Sequence, residues 1–125
     1  MNRYLIGALC AAPLLVAQAW AADDVMAGYY GNTIVATGGP AEIHTHYRAD
    51  HTFDMAASMM MMHKNFKGTW AMNDKGEICR TFVGELPPNT TNPQCVALGA
   101  HKVGDSWTVT QGSNTRTLAL KAGVN

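Results

Sequence analysis

Turn chemistry recurs along this chain at short, near-regular intervals, and β-rich runs fill the gaps. The breaks are Thr37-Gly38-Gly39-Pro40, Arg48-Ala49-Asp50-His51, Asn73-Asp74-Lys75-Gly76, the stretch 84–93 with Pro87, Pro88 and Pro93, Gly104-Asp105, and Gln111-Gly112-Ser113-Asn114. Between them the sequence predicts strands over 26–35, 41–47, 52–57, 66–72, 77–83, 95–101, 106–110 and 115–120. The stretch 59–65 is compatible with a strand extension, a short helix or a loop. No convincing amphipathic helix intervenes. Many short strands punctuated this way argue for an all-β fold. The expected form is a small antiparallel up-and-down barrel of about eight strands, which closes its own edges. Its interior has room for side chains or one small ligand.

The N-terminus reads as an export signal. Arg3 supplies positive charge, residues 4–16 are apolar, and Ala19 and Ala21 suit the −3 and −1 positions of a cleavage site. The expected organisation is a signal peptide over 1–21 and one β domain over 22–125, periplasmic or secreted. The apolar run is short for a membrane span, so no stable membrane insertion is expected after cleavage. Cys10 leaves with the signal. Cys79 and Cys95 remain, and an exported pair defaults to a disulfide. A loop of that length stabilises by about 3 kcal/mol in the chain-entropy model. Nine basic and nine acidic residues balance, with no basic stripe. That argues against a nucleic-acid partner.

Five segments carry a resemblance. Gly28-Tyr29-Tyr30-Gly31-Asn32-Thr33, residues 47–53, Lys67-Gly68-Thr69-Trp70, Gly76-Glu77-Ile78-Cys79 and Gly104-Asp105-Ser106-Trp107 follow one another along the mature chain. In that order they resemble small exported bacterial proteins of lipocalin-like (calycin-like) β-barrel build. The motifs are turn and tryptophan signals, so the resemblance implies a fold more than an activity. The chain departs from the pattern at the first hairpin, where His51 stands in place of a glycine. Histidine enters a left-handed turn far less readily than glycine. Something besides turn geometry then favours it.

The chemically distinctive span is 44–63, with four of the five histidines and five of the eight methionines. Imidazole and thioether are copper ligands, and either can ligate haem iron. His44 and His46 share one strand face, roughly 7 Å apart along the strand. A register slip of one residue exchanges the faces, so inward and outward histidines both fit the pattern. Met59, Met61 and His63 share a face if that stretch is extended. The expected metal set is therefore His44, His46, His63, Met59 and Met61, with copper or haem as the cofactor. Without a CxxCH motif any haem is non-covalent. Two plainer readings of the methionines are a flexible apolar lip and simple packing. Tyr47, His51, Asp54 and Trp70 are the expected ligand-binding residues. Trp70 and Trp107 are otherwise core plugs, and His101 reads as a surface residue.

The sequence thus points to an exported barrel that binds a small molecule or a metal ion. One alternative is a small enzyme using a His/Asp acid–base pair on an apolar substrate. Another is an exported protease-inhibitor-like protein presenting Asp23, Asp24 and the 87–93 loop.

Overall fold

The computed structural model describes residues 25–111 and 113–125. The signal peptide read at 1–21, with Cys10, lies outside them. Eight strands follow one another: β1 (Asn32–Thr37), β2 (Glu42–Tyr47), β3 (Thr52–Met59), β4 (Met62–Met72), β5 (Ile78–Val83), β6 (Gln94–Val96), β7 (Ser106–Gln111) and β8 (Asn114–Ala122). All pairings are antiparallel, and they form one sheet in the order β6-β5-β4-β3-β2-β1-β8-β7. That is the cyclic up-and-down order interrupted once, between β6 and β7. The all-β eight-stranded fold is as expected, but the sheet curls as an open barrel and does not close its edges.

The open seam follows from a contact distant in sequence. The sequence predicts a strand over 95–101, yet β6 stops at Val96. Leu98 turns into the core, and the Gly99 carbonyl accepts a hydrogen bond from the Tyr29 hydroxyl at 2.5 Å. The chain after Val96 is thereby drawn to the base of the barrel and away from β7.

Side-chain alternation sets the walls. Ile34 and Ala36, Tyr47, Phe53 and Met55, Phe66 and Trp70, Ile78 and Phe82, and Leu118 and Leu120 build one apolar cluster on the inner face. The register stacks them strand by strand, with Tyr47 opposite Phe53 and Thr45 opposite Met55.

One end of the barrel is plugged. Residues 26–31 form a tight turn where the sequence predicts the start of a strand. Tyr29 N donates to the Met26 carbonyl at 2.8 Å, so the two side chains point the same way and both are buried. Tyr29 meets Tyr47 edge-on at 6.2 Å and tilts against Trp107 at 6.4 Å. Tyr47 in turn meets Trp70 edge-on at 6.2 Å. Gly28 lets the plug seat closely, since a Cβ there would lie 1.9 Å from the His101 carbonyl oxygen. Burial pushes the Tyr29 phenol far above its usual range, with Tyr47 and Asp105 adding to the shift. It remains a neutral donor to Gly99.

Cys79 and Cys95 are bonded, opposite one another on β5 and β6. Among the described residues no helix is long and apolar enough to cross a membrane.

Candidate functional site: the barrel cavity

The turns β1–β2, β3–β4, β5–β6 and β7–β8 gather at the end opposite the plug. They surround a cavity of about 1120 Å³. Its walls are mostly apolar: Ile34, Ile43, Met55, Phe66, Val96 and Leu118 face it. Its mouth is bordered by Met59 and Met62 of the β3–β4 hairpin and by Leu86, Pro87 and Pro88 of the β5–β6 loop.

Among the described residues four charged side chains face this space: Lys64, Arg80, Glu85 and Arg116. Lys64 pairs with Glu85. Arg116 donates to the Ala41 carbonyl at 3.2 Å, beside the β1–β2 turn at the rim. Arg80 differs from both. It sits between the buried residues Ile78 and Phe82 on the inward face of β5. It donates to the Gln94 amide oxygen and, at 3.5 Å, to the Tyr47 hydroxyl. Its buried Nε–H has no hydrogen-bond partner among the described residues. No carboxylate forms an ion pair with Arg80 among those residues either. The Gln94 contact is set by register, because Arg80 pairs with Gln94 next to the disulfide.

The residues expected from sequence scatter around this cavity. Tyr47 lines it. Trp70 belongs to the plug, where its indole N–H donates to the Arg48 carbonyl at 2.9 Å. His51 stacks on Trp70 with ring centres 4.1 Å apart and planes 10° from parallel. Its Nδ1 lies 3.1 Å from the Trp70 carbonyl oxygen, and its own carbonyl accepts from Trp70 N at 2.8 Å. These contacts account for a histidine held at φ 69°. His101, expected at the surface, is half-buried; it stacks on Trp107 at 3.5 Å and bonds Asp105 at 3.2 Å.

The other histidines lie on the outer wall. His44 bonds Glu42 at 2.7 Å, and His63 shares a hydrogen bond with Ser58 at 3.0 Å. His46 is buried, with Nδ1 at 2.8 Å from Asp54 and Nε2 at 3.0 Å from the Asn125 carbonyl oxygen. The expected His/Asp contact therefore exists, but on the face opposite the cavity and covered by the chain end. β2 and β4 flank β3, so His44 and His63 stand two strands apart, roughly 10 Å by strand spacing. His44, His46 and His63 do not converge. Among the described residues no group of three or more His, Cys, Asp or Glu side chains is placed to hold a metal ion. The methionines do gather. Met59 and Met62 pair across the hairpin, and Met60 and Met61 project from its tip, 95% and 93% exposed. Packing does not explain those two.

Sequence reasoning missed Arg80. The signal was present: Ile78, Arg80 and Phe82 alternate with Cys79 and Thr81, which puts a guanidinium on the apolar side of a strand. Compared with models of protein families, with curated proteins and with solved structures, the chain has no match.

Proposed function

We propose that this protein is an exported, lipocalin-like binder of a small, largely apolar molecule, held inside the barrel between the plug and the mouth. One observation carries the reading: a cavity of about 1120 Å³ with apolar walls, plugged at one end and entered at the other. That volume is slightly above the usual span for small-molecule pockets, about 300–1,000 Å³. A domain this small has a limited core. Leaving apolar wall uncovered forgoes roughly 25 cal/mol per Å², which a bound apolar molecule restores.

A neutral fluorescent probe, N-phenyl-1-naphthylamine, tests it. The mature protein is expected to bind the probe saturably, with enhanced emission. Ala57→Trp, which fills the cavity wall, is expected to stay folded by circular dichroism and lose the binding. No saturable binding, or binding unchanged by Ala57→Trp, contradicts the reading.

A second reading rests on the hairpin tip. Four thioethers at consecutive positions, two paired across the hairpin and two fully exposed, offer a soft donor set suited to Cu(I). His63 follows in the chain, and haem iron is the weaker fit because the histidines do not converge. Cu(I) competition against a chromophoric chelator checks it: uptake lost in Met60→Ser/Met61→Ser/Met62→Ser supports it, and no uptake by the unaltered protein removes it.

A further inference from the structure

We infer that the ligand carries a single carboxylate, and that Arg80 receives this group at the base of the cavity. The inference rests on the cavity reading above and adds the chemistry of the head group.

A guanidinium on the inner face of a mostly apolar barrel is costly unless its donors and its charge are satisfied. Arg80 has five N–H donors, of which its bonds to Gln94 and Tyr47 account for two. Nε–H is buried and unmatched among the described residues. An arginine in this state presents a fork that fits a carboxylate with two parallel bonds. Its neighbours extend the site. The Tyr47 hydroxyl accepts from Arg80, which frees its own hydrogen to donate. Gln94 accepts through Oε1, which leaves its amide nitrogen as a donor.

The wider charge pattern agrees. Of the cations lining the cavity, Arg116 is held at the rim by the Ala41 carbonyl, which leaves Arg80 as the cation at the base. Glu85 is already paired with Lys64 near the mouth. The other carboxylates on this wall, Glu42 and Asp54, bond outer-face histidines. The head-group site holds one cation and neutral donors. That set matches a singly charged carboxylate better than a phosphate, which brings a charge nearer to −2. The body of the ligand then runs along Met55, Ile43 and Leu118 towards the apolar mouth.

Dodecanoate and dodecanol, equal in chain length, separate head group from body. The mature protein is expected to bind dodecanoate tighter than dodecanol by about tenfold to a hundredfold, the range for a hydrogen bond to a charged group. Arg80→Met is expected to erase that preference while keeping dodecanol binding. Arg80→Lys is expected to retain part of it, and Arg116→Met all of it. Equal binding of the two probes by the unaltered protein overturns the head-group assignment and leaves the cavity reading standing. A preference that survives Arg80→Met, or that vanishes in Arg116→Met, does the same. Failure to bind dodecanoate, dodecanol or N-phenyl-1-naphthylamine overturns both.

Discussion

Arg80 and Gln94 stand directly opposite one another on β5 and β6, one step beyond the disulfide pair Cys79 and Cys95. β6 is only three residues long and, among the described residues, pairs with β5 alone. The disulfide therefore pins the register that brings the Gln94 amide to the Arg80 guanidinium. Replacing both cysteines, Cys79→Ser/Cys95→Ser, is expected to cost about 3 kcal/mol in urea unfolding. It is also expected to weaken dodecanoate binding. A variant that loses stability but binds dodecanoate unchanged shows that β6 holds its place without the bond.

His51 illustrates a local rule outweighed by packing. Its left-handed backbone costs about 1–2 kcal/mol for a residue with a Cβ. Stacking on Trp70 returns about 0.5–1.5 kcal/mol, and the Nδ1 contact a comparable amount. His51→Ala keeps the strain and loses both contacts, so it is expected to destabilise by about 1–3 kcal/mol. His51→Gly loses the contacts but relieves the strain, and is expected to lie between alanine and the unaltered protein. Chemical unfolding at one pH gives the order; glycine below alanine would contradict this account of the turn.

Acid stability follows from the outer wall. Burial alone would raise the Asp54 carboxyl, but hydrogen bonds and charge from His46 and Arg48 outweigh it and hold the group below the usual carboxylate range. The Thr52 side chain lowers Asp50 in the same sense, and the Lys102 amide lowers Asp105. A carboxylate depressed by folding stabilises at pH above its unfolded value, about 3.9, and that share is lost as pH falls through the folded value. Stability should therefore decline below about pH 4. Asp54→Asn should shallow that decline, read from urea midpoints across the acid range. An identical acid limb in Asp54→Asn would show that the His46–Asp54–Arg48 cluster does not contribute.

The hairpin tip should be dispensable for folding. Met60 has φ 54° and is almost fully exposed. Met60→Gly is expected to raise stability by about 0.5–1 kcal/mol through relief of strain. Met61→Ser is expected to change it by less than about 0.5 kcal/mol. A larger loss in either would mean that the tip packs in a way its exposure does not reveal.

Much of the fold was legible in the sequence because turn residues and alternation act locally. Gly38, Asp50 and Gly76 mark strand ends, and the bond between Cys79 and Cys95 matches the expectation drawn from the export reading and an even cysteine count. The early part of the 26–35 reading failed because Met26 and Tyr29 answer to the barrel base, a long-range contact with no local trace. β6 ended early for the same reason, as Leu98 and Gly99 are drawn to the plug. The site was harder to read. Attention goes naturally to His44, His46 and the methionine run, since those residue types announce chemistry. Arg80 announces nothing by type; only its parity between Ile78 and Phe82 does. Which face of β2 looks inward also waited on the structure, where Tyr47 and Thr45 turn to the core and His44 to the outer wall.

The most direct test is a nuclear magnetic resonance titration of ¹⁵N-labelled protein spanning residues 22–125 with dodecanoate. The account predicts saturable shifts at the Arg80 side-chain Nε–H and at the amides of Ile34, Ile43, Met55 and Leu118, with His44 and His63 unmoved. Shifts confined to the outer wall, or none that saturate, would contradict it.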